Sequence, residues 1–237
     1  MASTRSCPYT LNWPRASSVT GNPDNGSLHV SRGKSKSSDR WLNEHASDLY
    51  VQKAMADGYR SRAVYKLIEL DQKDGLIRRG ATVLELGAAP GGWTQYIAEN
   101  VGDAGKVVAS DILPMDSVAN VTFIEGDFTE NRVADAIEKA LGPSGADLVL
   151  SDMAPNISGV SATDQARAMG LVELALDMAA QVLNENGAFA VKVFQGEGFD
   201  AFVKDVRSRF KTVKLRKPSA SRSRSREIYV VARNLIS

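Results

Sequence analysis

An α/β fold built around a mostly parallel sheet is what this sequence predicts, on three observations. Beyond Gly80, short apolar runs alternate with helical stretches, the pattern of strand, crossover and strand. A glycine-rich loop, ELGAAPGGW from Glu85 to Trp93, directly follows the first of those runs. Three aspartates, Asp111, Asp127 and Asp152, then close three successive runs and so collect carboxylates on one edge of the sheet. With 237 residues, 43% of them hydrophobic, the chain can bury one substantial core.

Residues 1–37 form a basic, Ser-rich leader with proline and glycine but no sustained hydrophobic period, and read as disordered. From Asp39, as a candidate N-cap, Trp41, Leu42, His45, Leu49 and Val51 to Ala54 follow a helical stripe that Gly58 ends. Ser61 is placed to cap a second helix with Val64, Leu67, Ile68 and Leu70 facing inward, closed by Gly75 and Gly80. Strands are expected at 82–86, 106–110, 121–124, 147–151 and 188–194, with a long amphipathic helix over 163–183 and another over 199–210. The runs 212–216 and 227–232 are separated by a Pro/Ser/Arg segment too short for a crossover, so they should form an antiparallel hairpin. Residues 38–237 read as one domain, an N-terminal helical segment over 38–80 followed by an α/β core over 81–237.

Composition excludes several chemistries. The single cysteine, Cys7, can form neither an intrachain disulfide nor a Cys-based zinc site, and fits a reducing compartment. The two histidines, His29 and His45, have no metal-ligand spacing, so no metal is expected. No apolar run is long enough to span a membrane. These features predict a cytoplasmic protein without a membrane partner, and the lack of a heptad or interface stripe predicts a monomer; an organellar address is the alternative, since the acid-poor leader shares the composition of transit peptides. The net charge of +1 hides an asymmetry: residues 41–203 carry twelve Lys/Arg against twenty-four Asp/Glu, whereas residues 204–237 carry eleven against two. Clustered cations at the end of an acidic body point to a polyanionic partner.

The glycine loop follows a strand and opens a helix, the setting of a nucleotide-type loop, but neither G-x-G-x-x-G nor G-x-x-x-x-G-K-[ST] occurs there. Asp111 lies where a carboxylate can accept from ribose hydroxyls. An isolated Asp after a strand usually caps its own loop; three of them beside the glycine loop describe an adenosine-sized pocket. Lys192, inside the apolar run AFAVKVF, needs an anionic neighbour if it is buried.

GAAPGGW, SDMAPN, VKVFQGEGF and SRSREIY occur in that order, and together they resemble the FtsJ-type (RrmJ-type) large-subunit ribosomal RNA 2′-O-ribose methyltransferases over residues 39–233. The resemblance implies a Rossmann-like S-adenosylmethionine-dependent fold, a seven-stranded sheet with only the last strand antiparallel. It implies a catalytic tetrad of Lys66, Asp152, Lys192 and Glu227, and cofactor contacts from Gly91, Trp93, Asp111, Asp127 and Asp152. The function implied is 2′-O-methylation of a uridine ribose in large-subunit (23S) ribosomal RNA, presented in an assembled or nearly assembled large subunit. The chemistry requires a ribose hydroxyl to lose a proton as it attacks a sulfonium-activated methyl group. Lys192 is the expected proton acceptor: desolvation and a nearby cation such as Lys66 favour its neutral form, whereas Asp152 and Glu227 favour its charged one. Arg60, Arg62, Lys214, Arg216, Lys217, Arg222, Arg224 and Arg226 are expected to line a phosphate track into the pocket. Rival readings are a ribose methyltransferase of transfer RNA or messenger RNA caps, a noncatalytic ribosome-assembly factor, and a nicotinamide-dependent oxidoreductase that the missing G-x-G-x-x-G disfavours.

Overall fold

The computed structural model describes residues 48–156, 158–222 and 224–236, so the expected leader and the stripe residues Asp39, Trp41, Leu42 and His45 lie outside the described residues. The first described helix, α1 (Leu49–Ala56), starts later than the stripe suggests, because Asp48 has extended backbone and its side chain accepts the Tyr50 amide at 3.0 Å. In the second, α2 (Val64–Asp74), Ser61 acts one turn ahead of the helix, its hydroxyl accepting from the Ala63 amide at 3.1 Å. Gly75 closes α2 in the left-handed conformation.

The α/β body runs β1 (Thr82–Leu86), α3 (Gly92–Val101), β2 (Lys106–Asp111), β3 (Val121–Glu125), α4 (Asn131–Leu141), β4 (Ala146–Ser151), α5 (Ser161–Val182), β5 (Leu183–Phe194), α6 (Phe199–Arg209), β6 (Phe210–Arg216) and β7 (Glu227–Leu235). The seven strands are ordered β3-β2-β1-β4-β5-β7-β6, and β7 alone is antiparallel to its neighbours. Strand β5 begins at Leu183 rather than 188, because Leu183 pairs with Ala146 before a register shift brings Ala188 opposite Leu148.

The period-2 alternation of each strand feeds two cores. On one face Leu84, Leu86, Val149, Phe189 and Val191 pack with Ile137 of α4, Leu176 of α5 and Phe202 of α6. On the other, Val83, Leu148, Leu150, Ala190, Tyr229 and Val231 pack with Leu67 and Leu70 of α2 and Trp93 and Ile97 of α3. A smaller cluster of Ala54, Val64, Tyr65 and Ala220 ties the N-terminal helices to the loop before β7. Strand order reverses at β1, so the crevice past the carboxyl ends of β1 and β4 is where an α/β sheet takes a ligand.

Candidate active site

At that crevice Gly87 has φ +80°, and a Cβ on it would lie 2.5 Å from Cγ of Met153 on the loop after β4. Only glycine permits both the turn and this approach. A cavity of about 500 Å³ opens here, lined by Gly87, Ser110, Asp111, Asp127, Met153 and, from α5, Leu171. Asp111 accepts the Ala89 amide at 2.8 Å and the Leu113 amide at 2.9 Å, pinning the glycine loop to β2. Asp127 accepts the amide and hydroxyl of Thr129 at 2.9 and 2.7 Å. Both carboxylates therefore cap loops and line the cavity at once. Gly91 is the left-handed N-cap of α3. Trp93 points the other way: its indole donates to the Ala63 carbonyl at 2.7 Å and packs against Tyr229 with ring centroids 5.9 Å apart.

The tetrad residues converge from four elements. Lys192 pairs in register with Tyr229, and Phe194 with Glu227, which sets Lys192, Tyr229 and Glu227 on one face of the sheet. Asp152 follows β4, next to β5. The Lys192 ammonium lies 3.1 Å from the Asp152 carboxylate and donates to its carbonyl at 2.5 Å. Lys66, from α2, reaches Glu227 at 2.9 Å. Lys192 and Glu227 are only 7% and 8% exposed, so each charge depends on its partner.

Burial pushes the Asp152 carboxyl up, but Lys192, Lys66 and the Tyr229 hydroxyl outweigh it and hold Asp152 below the usual carboxylate range. Glu227 is likewise lowered, burial being overcome by Lys66. Sequence reasoning missed Tyr229, whose hydroxyl donates to Asp152 at 2.6 Å. Burial and then the Asp152 and Glu227 charges push this phenol well above its ordinary value, so it remains a donor. The signal was present, because Tyr229 lies two residues beyond Glu227 in a strand and shares its face. Glu85 was also missed as more than part of the loop. It is fully buried, accepts from the Thr94 hydroxyl at 2.6 Å, and is raised to about 8 by burial and by Asp152 and Asp111.

A second cavity, of about 360 Å³, opens beside the Lys66–Glu227 pair and is lined by Arg62, Lys66, Arg222, Arg224, Ser225 and Glu227. The other expected track residues are held elsewhere. Arg216 and Lys214 bind Asp74 at 2.7 and 3.3 Å, Lys217 donates to the Ser225 and Glu227 carbonyls, and Arg60 donates to the Asp116 and Ser117 carbonyls. Arg226 is exposed at the start of β7. Among the described residues no group of three or more His, Cys, Asp or Glu could hold a metal, and no helix is long and apolar enough to cross a membrane.

Residues 59–235 match the model of the FtsJ-like methyltransferases. A relative in Hahella chejuensis, named ribosomal RNA large subunit methyltransferase E, is 62% identical over 201 residues, covering 85% of this chain and 98% of the relative. One of the same name in Cellvibrio japonicus is 59% identical over 203 residues, 86% of this chain and 96% of its own. Among solved structures, a ribosomal RNA methyltransferase of Plasmodium falciparum superposes with a TM-score of 0.67 at 30% identity, covering 76% of this chain and all of that one. Fold, converging tetrad and relatives agree: the chain belongs to the FtsJ-like methyltransferase family.

Proposed function

We propose that the protein methylates a ribose 2′-hydroxyl of large-subunit ribosomal RNA, the acceptor being a uridine of the 23S species presented in an assembled or nearly assembled subunit. The observation that carries this reading is the lysine–carboxylate network lying between a cavity suited to an adenosine group and a second cavity walled by arginines.

S-adenosylmethionine is the methyl donor of this fold, and the residues fit it. Asp111 and Asp127 offer carboxylates to a ribose and an adenine amino group, and Ile112, Leu113, Phe128 and Met153 offer an apolar wall to the base. The Ser110 hydroxyl lines the cavity, buried and without a hydrogen-bond partner among the described residues. Gly91 and Trp93 stand at the N-terminal end of α3, which favours a carboxylate. Bound there, S-adenosylmethionine supplies a methyl group activated by its sulfonium. Lys192, once its ammonium has released a proton to solvent, takes the proton of the attacking hydroxyl; Asp152 orients Lys192, and the Lys66–Glu227 pair positions the ribose. Arg62, Arg222, Arg224 and Arg226 bind the RNA backbone, while Arg60, Lys214, Arg216 and Lys217 support that surface from their own ion pairs and carbonyls.

The test is transfer of a labelled methyl group to large ribosomal subunits lacking the modification, with the modified ribose mapped. Lys192→Ala should lower turnover by about 10²–10⁴-fold without weakening cofactor binding in calorimetry. Lys192→Arg should fail equally, because a guanidinium does not give up its proton near neutral pH. Full turnover by Lys192→Arg sinks the base assignment, and labelling of transfer RNA instead of the subunit sinks the acceptor assignment.

A further inference from the structure

Two guanidinium groups in the wall of the second cavity, those of Arg62 and Arg222, share one carboxylate. The Asp48 Oδ2 atom pairs with Arg62 and lies 4.0 Å from Nε of Arg222. Arg62 is fixed from three sides: Asp48, the Ala220 carbonyl that it also donates to, and the Tyr50 ring 5.5 Å away. Burial and the Arg222 charge both work against its own charge, so an anion between the two arginines stabilises the pair. Asp48 fills that place imperfectly. Its other oxygen, Oδ1, caps α1 through the Tyr50 amide, leaving one oxygen for two arginines, with Arg222 beyond hydrogen-bond distance. A phosphodiester offers two nonbridging oxygens, one for each guanidinium, and Arg recognises such groups well. The same cavity is lined by Lys66 and Glu227, so a phosphate held by this pair lies close to the place proposed for the reacting ribose.

We propose that Arg62 and Arg222 form a phosphodiester subsite for the RNA segment carrying that ribose, and that Asp48 occupies this subsite until a backbone phosphate displaces it. The inference rests on the reading that the acceptor is RNA. Displacement has a structural consequence: the Tyr50 amide loses its cap, and the start of α1 loosens as RNA binds.

Binding of a fluorescent single-stranded oligouridylate of about ten nucleotides to the full chain, followed by anisotropy over a salt series, tests this. Asp48→Asn keeps a good N-cap and removes the competing charge, with thermal unfolding verifying the fold. It should bind about fivefold tighter, at unchanged affinity for S-adenosylmethionine. Arg222→Ala should weaken binding and lower the salt slope by about 1, and adding Asp48→Asn to it should recover almost nothing. Hydrogen exchange of the Tyr50 amide should accelerate when RNA binds to the wild type. Asp48→Asn binding no tighter than a wild type that does bind, or a Tyr50 amide slowed by RNA, overturns the subsite while leaving the RNA reading standing. Failure of the wild type to bind the oligonucleotide overturns this inference, while the RNA reading is decided separately by methyl transfer to the large subunit.

Discussion

On the cofactor side of Asp152 the polar groups are held by backbone, and on the acceptor side they are held by one another. Asp127 takes the Thr129 amide two residues on, and Asp111 takes the Leu113 amide two residues on and the Ala89 amide of the glycine loop beside it, so backbone orients both. Lys66, Lys192, Asp152 and Glu227 come from α2, β5, the end of β4 and β7, and each answers another's charge. The first arrangement is a mould set by local chain geometry. The second is a balance that removal of one partner upsets, which suits a site where a proton must change hands.

Glu85 offers the strongest way to break that contrast, as a buried carboxyl of β1 that accepts from a hydroxyl and feels the charges of two acids. Its pKa in the folded chain is raised to about 8, so its contribution to stability is full below about pH 4.5 and is lost as pH rises through about 8. Glu85→Gln, which cannot ionise, should match the wild type near pH 5. By pH 9 it should be more stable by on the order of a few kcal/mol, read from thermal unfolding of the cofactor-free protein at both pH values. Equal pH dependence in the two proteins would show that Glu85 ionises freely in the fold.

Asp111→Ala acts on the mould. It frees the Ala89 and Leu113 amides and removes the carboxylate proposed for the ribose, so S-adenosylmethionine should bind about 100-fold more weakly in calorimetry, with the chain still folded. Unchanged affinity would mean that the carboxylate serves only its loop.

Tyr229→Phe acts on the balance with a smaller lever. Loss of the 2.6 Å hydrogen bond to Asp152 should lower kcat about tenfold, because Asp152 then holds Lys192 less firmly. The KM for S-adenosylmethionine should not move. A parallel fall in kcat and cofactor affinity would reduce Tyr229 to a packing residue against Trp93.

How far the sequence spoke for each region follows from the same contrast. All seven strands were legible, because apolar alternation bounded by glycine and aspartate is local. The gathering of three carboxylates at one edge was legible for that reason too: Asp111 ends β2, Asp127 lies two residues beyond β3, and Asp152 follows β4 directly. The start of α1 just after Asp48 was hidden because Leu49 and Val51 continue the hydrophobic stripe past it. The struts were hidden for another reason. Asp74 meets Lys214 and Arg216, and Glu69 meets the Ser219 and Ala220 amides at 2.6 and 2.8 Å, across some 140–150 residues. No periodicity carries such pairings, so a cluster of cations near the C-terminus reads as one phosphate track when part of it is internal bracing.

Lys214 supplies the finest test of that division. Its ammonium is half exposed and shares Asp74 with Arg216, which holds the same carboxylate at 2.7 Å. With Arg216 in place Asp74 keeps a cation, so Lys214→Met should cost about 0.5 kcal/mol in denaturant unfolding. If Lys214 is a brace, RNA affinity and its salt slope stay those of the wild type, whereas Arg222→Ala lowers the slope by about 1. If Lys214→Met also lowers the slope by about 1, the ammonium leaves Asp74 for a phosphate when RNA arrives. The acceptor surface then extends along β6, away from the tetrad, and the division between bracing and binding cations falls further out than Asp74.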